Sequence, residues 1–173
     1  METLAILART PRVLDELLSG LPDPWTHRDD GPGTWSAYDI LGHLVEGDAT
    51  NWLPRARLII EHGTARRFEP FDRLAMLSRE PQPTEALLAS FHAARRDSLD
   101  QLSSLDLQPS DLDRRGQHPE FGEVTLGQLL STWVAHDLTH LAQIGEVLAR
   151  RYRDAVGPWR AYLPALDRTA EAE

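Results

Sequence analysis

Cysteine is absent from the 173-residue chain, and so is lysine. Without thiols there are no disulfides, no thiolate metal ligands, no iron-sulfur ligation and no cysteine nucleophile. Without lysine there is no Schiff base and no phosphate-loop lysine, and all 18 basic residues are arginines. Any bound phosphate or carboxylate must therefore be held by guanidinium groups or backbone amides. Positive charge is in short supply overall, because a net charge of −9 argues against a general DNA or RNA binder. No apolar run approaches the roughly 20 residues that a bilayer-spanning helix needs. Met1-Glu2-Thr3 does not begin the basic-then-apolar pattern of a secretory signal, so a cytoplasmic protein with no membrane attachment is expected. Chemistry is left to His, Asp, Glu, Ser, Thr, Tyr or a bound metal.

What is present is dominated by helix signals. The length suits one domain with an apolar core, spanning residues 1–173 with a frayed end at about 166–173. Thr10-Pro11 starts a helix whose Val13, Leu14, Leu17 and Leu18 share a face before Gly20, with Leu4 and Leu7 able to extend it backward. A proline-rich loop follows to Gly33. Ser36 and Asp39 then form a capping box for a long helix carrying Ile40, Leu41, Leu44, Val45 and Trp52, which Pro54 should kink before His62-Gly63. Residues 63–83 read as a crossover with one short helix around 71–78, and a third helix spans about 84–105. A second long loop covers 106–124, with no convincing strand pattern. Thr125 and Gln128 open the last helix through a second capping box, and its apolar stripe runs to about Tyr152. Aromatics between Gly157 and Pro164 are expected to pack across the bundle. Four helices with two long connections make an all-α four-helix bundle that is not a simple hairpin array.

Seven histidines are the conspicuous polar feature. His136 and His140 lie four apart on the last helix, about 40° from one another on the edge of its core face. They can converge on one ion, with Gln143 as a hydrogen-bond partner, or serve only as hydrogen-bonded core residues. His43, beside Ile40 on the second helix with space left by Gly47, supplies a third imidazole. Three such ligands leave a coordination position open. His136-Asp137-x-x-His140 differs from the metalloprotease H-E-x-x-H pattern, because aspartate is one methylene shorter and no familiar third ligand follows. Asp137 can orient a ligand or accept a hydrogen bond at a helix contact. His118 and Glu120, in the loop before the last helix, are candidates to reach the mouth of the site, whereas His27, His62 and His92 read as surface residues.

Trp35-Ser36 with Asp39-Ile40-Leu41-Gly42-His43-Leu44, together with Thr125-Leu126-Gly127-Gln128-Leu129-Leu130 and His136-Asp137-x-x-His140-x-x-Gln143-Ile144, resembles the DinB-like superfamily. His118-Pro119-Glu120-Phe121-Gly122 resembles a loop motif of one subgroup. The resemblance implies an up-down-down-up four-helix bundle and a metal site at His43, His136 and His140, holding zinc or nickel, with manganese a further option. It also implies a metal-dependent enzyme. The leading expectation is an S-transferase that uses a low-molecular-weight thiol on small electrophiles; the alternatives are a metal-dependent hydrolase and a non-catalytic metal-binding stress-response module. An ion held by imidazoles can lower the pKa of a thiol or activate water. Since the chain has no sulfur nucleophile of its own, the thiol would arrive on a cofactor, and Arg66, Arg67, Arg114 and Arg115 in the long loops are candidates to clamp its carboxylates. The same arginines equally suit a solvated, salt-bridged surface. A small-molecule substrate and a homodimer are the expected partners.

Overall fold

A computed structural model describes residues 2–167, with side chains from Leu4 onward. The four bars of the bundle are α1 (Glu2–Leu7) with α2 (Thr10–Leu18), α4 (Ala37–Thr50) with α5 (Trp52–His62), α6 (Thr84–Ser104) and α7 (Leu126–Ala149). A short helix, α3 (Asp23–Thr26), lies within the first proline-rich loop. Helix α4 packs on α6 and α7, α2 on the same two, and α5 on α7.

Local chemistry starts the long helices. The Ser36 hydroxyl accepts from the Asp39 amide at 3.1 Å while the Asp39 carboxylate accepts from the Ser36 amide at 2.9 Å. Thr125 and Gln128 make the same reciprocal pair at 3.1 and 2.8 Å. Each box satisfies amides that the first helical turn leaves without intrahelical partners.

The second bar breaks at Asn51 rather than bending at Pro54. Proline cannot donate to the carbonyl four residues back, at Thr50, and its ring crowds that carbonyl, so the ladder fails ahead of the proline. Asn51, Trp52 and Arg55, at and just after the break, line the wall of one cavity.

Two apolar clusters form the core. Leu14, Leu18, Ile40, Leu41, Leu44, Phe91, Ile144 and Val147 fill one. Leu7, Trp52, Ile59, Phe68, Leu102, Leu126, Leu129 and Trp133 fill the other. The Arg95 guanidinium touches both, 4.8 Å from the Phe91 ring and 5.3 Å from the Trp133 ring.

Several expectations are corrected. The second long connection contains an antiparallel hairpin, β1 (Arg115–His118) with β2 (Gly122–Thr125), paired from Arg115–Thr125 to His118–Gly122. The first connection joins it, the Phe68 amide donating to the Gln117 carbonyl at 2.9 Å. The short helix of the first connection is confined to Ala75–Ser78 and is of 3-10 type. Trp159 and Tyr162 do not pack across the bundle but stand 69% and 82% exposed. Leu166 is buried, so the expected frayed end does not include it; residues from 168 onward lie outside the described residues.

Candidate metal centre

The three histidines expected to act together are brought together. His43 arrives from α4, His136 and His140 from adjacent turns of α7. The His136 Nε2 lies 3.1 Å from the Nε2 of His43 and 3.1 Å from that of His140. Their second nitrogens settle two of the three tautomers. His43 Nδ1 meets the Arg73 carbonyl at 3.2 Å, and His140 Nδ1 meets the Gln143 side-chain oxygen at 2.8 Å. Both acceptors require a proton on Nδ1, which leaves both Nε2 lone pairs aimed at His136. The His136 Nδ1 is buried without a hydrogen-bond partner among the described residues.

Burial, reinforced by the His140 charge, lowers the pKa of His43 to about 4 and that of His136 to about 2. Both rings are neutral ligands at pH 7. A proton on His136 Nε2 can serve only one of the two facing lone pairs, so the trio is short of positive charge at its centre. A divalent cation fits this donor set. Metal–imidazole bonds of about 2.0–2.1 Å place two nitrogens on one ion roughly 3–3.4 Å apart, and both 3.1 Å separations fall within that range.

The space foreseen beside Gly47 is filled by Trp52, whose Nε1 would lie 3.1 Å from a Cβ at that position. The indole edge meets His136 at a centroid distance of 5.0 Å and its face stacks on Trp133. Trp35 lies against His43, with ring centroids 4.9 Å apart. The imidazoles therefore stand on an aromatic floor.

Above them opens a cavity of about 220 Å³. Both long connections line it, one through Phe71 and Arg73, the other through His118, Glu120 and Phe121. His118 and Glu120 thus reach the site as the sequence placed them. Asp137 faces elsewhere: 100° around α7 from His136, it is fully buried, accepts from Thr10 at 2.6 Å and forms an ion pair with Arg95. The four loop arginines do not line the cavity. Arg114 pairs with Asp111 and Arg115 with Glu123, while Arg66 and Arg67 are exposed, Arg66 beside His62. The cavity's cations are Arg55 and Arg73 instead. Nothing in the sequence marked Arg55 or Arg73 for this place.

A four-helix bundle with three imidazoles converging under a solvent-open cavity is the class of protein that fold and site define. The sequence profile of the DinB superfamily matches residues 6–144, and the chain belongs to that superfamily. A protein of Oceanobacillus iheyensis, provisionally named a metal-dependent hydrolase, is 24% identical over 143 residues, covering 82% of this chain and 81% of that one. YfiT from Bacillus subtilis, described as a probable metal-dependent hydrolase with an unusual four-helix bundle topology, has the same fold with a TM-score of 0.74 at 20% identity. That match covers 87% of this chain and 86% of YfiT.

Proposed function

We propose that the chain is a metal-dependent enzyme acting on a small molecule bound in this cavity, with hydrolysis as its reaction class. One observation carries the reading: three imidazole Nε2 atoms converge at the floor of an open cavity, and no fourth His, Asp or Glu joins them among the described residues. Structural zinc sites close their shell with four protein ligands, whereas catalytic ones keep a position for substrate. A divalent ion there supplies Lewis acidity, which polarises a carbonyl and lowers the pKa of a bound water or thiol.

The protein's own groups do the rest. The Arg73 carbonyl and Gln143 hold two imidazoles with their lone pairs inward. Trp35, Trp52 and Phe71 exclude water from around them. Glu120 is the one carboxylate among the described residues lining the cavity and is the group available to take a proton. The names of the two relatives support hydrolysis. Thiol transfer is a second reading, favoured by a chain with no sulfur nucleophile and by two arginines on the cavity wall that suit a cofactor's carboxylates.

The test starts with metal content. Protein purified without added metal should carry about one divalent ion per chain, as the convergence of three imidazoles implies, and a His136→Ala/His140→Ala variant should carry none. The loaded protein is then offered activated esters and amides, and separately a set of biological thiols with one electrophile. Metal-dependent hydrolysis supports the first reading and metal-dependent thiol consumption the second. Negligible metal in both proteins, or metal with no turnover in either assay, overturns the enzyme assignment.

A further inference from the structure

Arg55 is 9% exposed and forms no ion pair with a carboxylate among the described residues. Its Nη2 donates to the Glu69 carbonyl at 3.0 Å and its guanidinium lies over the Phe68 ring, 5.2 Å from the centroid. Its Nη1 faces the cavity and His118. A buried cation without a counter-charge is costly to hold, so its retention at a cavity wall calls for an explanation.

The tautomer of His118 supplies one. The backbone amides of Glu120 and Phe121 donate to His118 Nδ1 at 3.1 and 3.3 Å. Two donors on one nitrogen need its lone pair, so the ring proton sits on Nε2. That Nε2 lies 3.5 Å from Arg55 Nη1. Two N–H groups therefore stand side by side with no acceptor between them. Arg73, on the other connection, lines the same cavity, and its charge acts on both His118 and His43. Among the described residues Glu120 is the one carboxylate whose charge acts on Arg55, and the two form no ion pair.

We propose that Arg55, Arg73 and the His118 Nε2–H form an anion-recognition subsite for a carboxylate, so that the substrate is a small organic acid held by its carboxylate with its reacting end toward the three imidazoles. The subsite stands on its own geometry; the orientation of the reacting end rests on the metal-dependent reading above. The cavity volume, about 220 Å³, lies below the ~300–1,000 Å³ of drug-sized pockets, which suits a short molecule. Trp35, Trp52 and Phe71 are the surfaces for its carbon skeleton.

Metal-free full-length protein is titrated with succinate, with neutral succinamide and with inorganic phosphate, by calorimetry and by tryptophan fluorescence. Removing the metal keeps the anion from binding there instead. Succinate should bind saturably and succinamide should not. Arg55→Gln should weaken succinate about tenfold or more, as expected for a lost charge-assisted pair, and Arg73→Gln should weaken it less. Arg73 is exposed, so its variant remains informative if Arg55→Gln fails to fold. Equal binding by wild type and both variants, equal binding of succinate and succinamide, or no saturable binding of either anion overturns the subsite. Tighter binding of phosphate than of succinate, lost in the variants, overturns the carboxylate assignment. Metal-loaded protein is also given an aryl monoester of succinic acid and the matching neutral ester. Preference for the acidic ester that disappears in Arg73→Gln supports the orientation; hydrolysis of neither counts against the hydrolytic reading and leaves the calorimetry to judge the subsite.

Discussion

Two histidines with lowered pKa values make the metal-free protein acid-sensitive. His43 and His136 titrate near 6.5 in the unfolded chain and at about 4 and about 2 when folded. As pH falls below 6.5 the unfolded state gains protons that the native state does not take up. Their contribution to stability is thus fully present above about 6.5 and is lost as pH falls through about 4 for His43 and about 2 for His136, with a slope on the order of 1 kcal/mol per pH unit for each group. Chelator-treated protein should show a melting temperature that falls between pH 6.5 and 4.5, the raised Asp48 carboxyl offsetting part of the fall, and His43→Gln should flatten it further, since one of the two histidines is removed. An unchanged slope in the variant would count against burial as the cause. Gln143 belongs to the same scale. Its oxygen orients His140 at 2.8 Å, and Gln143→Leu should weaken metal binding by about 10–100-fold, the usual cost of losing such a partner, with little change in melting temperature of the metal-free protein.

The element that completes the site is the hairpin, and Gly116 is where it docks. A Cβ there would sit 2.5 Å from Ile59 Cγ1 and 3.0 Å from the Phe68 ring. Gly116→Val should therefore lift β1 off α5, costing about 1–3 kcal/mol as overpacking does. It should also displace His118, so succinate binding weakens while metal content of the loaded protein is retained; loss of neither, read by urea denaturation and calorimetry, would mean that the hairpin is not what positions His118. The hairpin was also the least legible element. Arg115-Gly116-Gln117-His118 offers no alternation and no strong strand former, and the pairing is stabilised by contact with Phe68 and Ile59, far away in sequence. The capping boxes were readable because a box is written within four residues. For the same reason His136 and His140 were legible as a pair, one helical turn apart. His43 could be offered as a third imidazole from its place on the second helix, but spacing alone did not join it to the pair and the family resemblance was needed, because its approach depends on how α4 packs on α7. Arg55 and Arg73 stayed hidden because the break at Asn51 and the path of the first connection, neither of them periodic, bring them to the cavity.

At the scale of the whole molecule one buried arginine ties all four bars together. Arg95 on α6 donates to both Asp48 oxygens of α4 at 2.7 and 3.0 Å, to Asp137 of α7 at 2.5 and 3.0 Å, and to the Leu7 carbonyl of α1 at 2.9 Å. Thr10 of α2 completes the Asp137 shell. Burial raises the Asp48 carboxyl to about 6 against the pull of Arg95, as expected when two acids share one guanidinium. The cluster fixes the rotation of α7, and since Asp137 points one way, His136 and His140 must point another. Removing the arginine would strand two carboxylates in the core. Arg95→Met should cost about 3–5 kcal/mol in urea denaturation, the range for a broken buried pair. Asp48→Asn should cost clearly less, because Arg95 keeps Asp137 and the neutral amide no longer has to be held ionised in the core. Asp137→Asn should fall between them in stability yet weaken metal binding more than Asp48→Asn does, because only Asp137 shares a helix with two of the ligands. If the two aspartate variants lose metal affinity equally, the clamp stabilises the bundle without aiming the histidines.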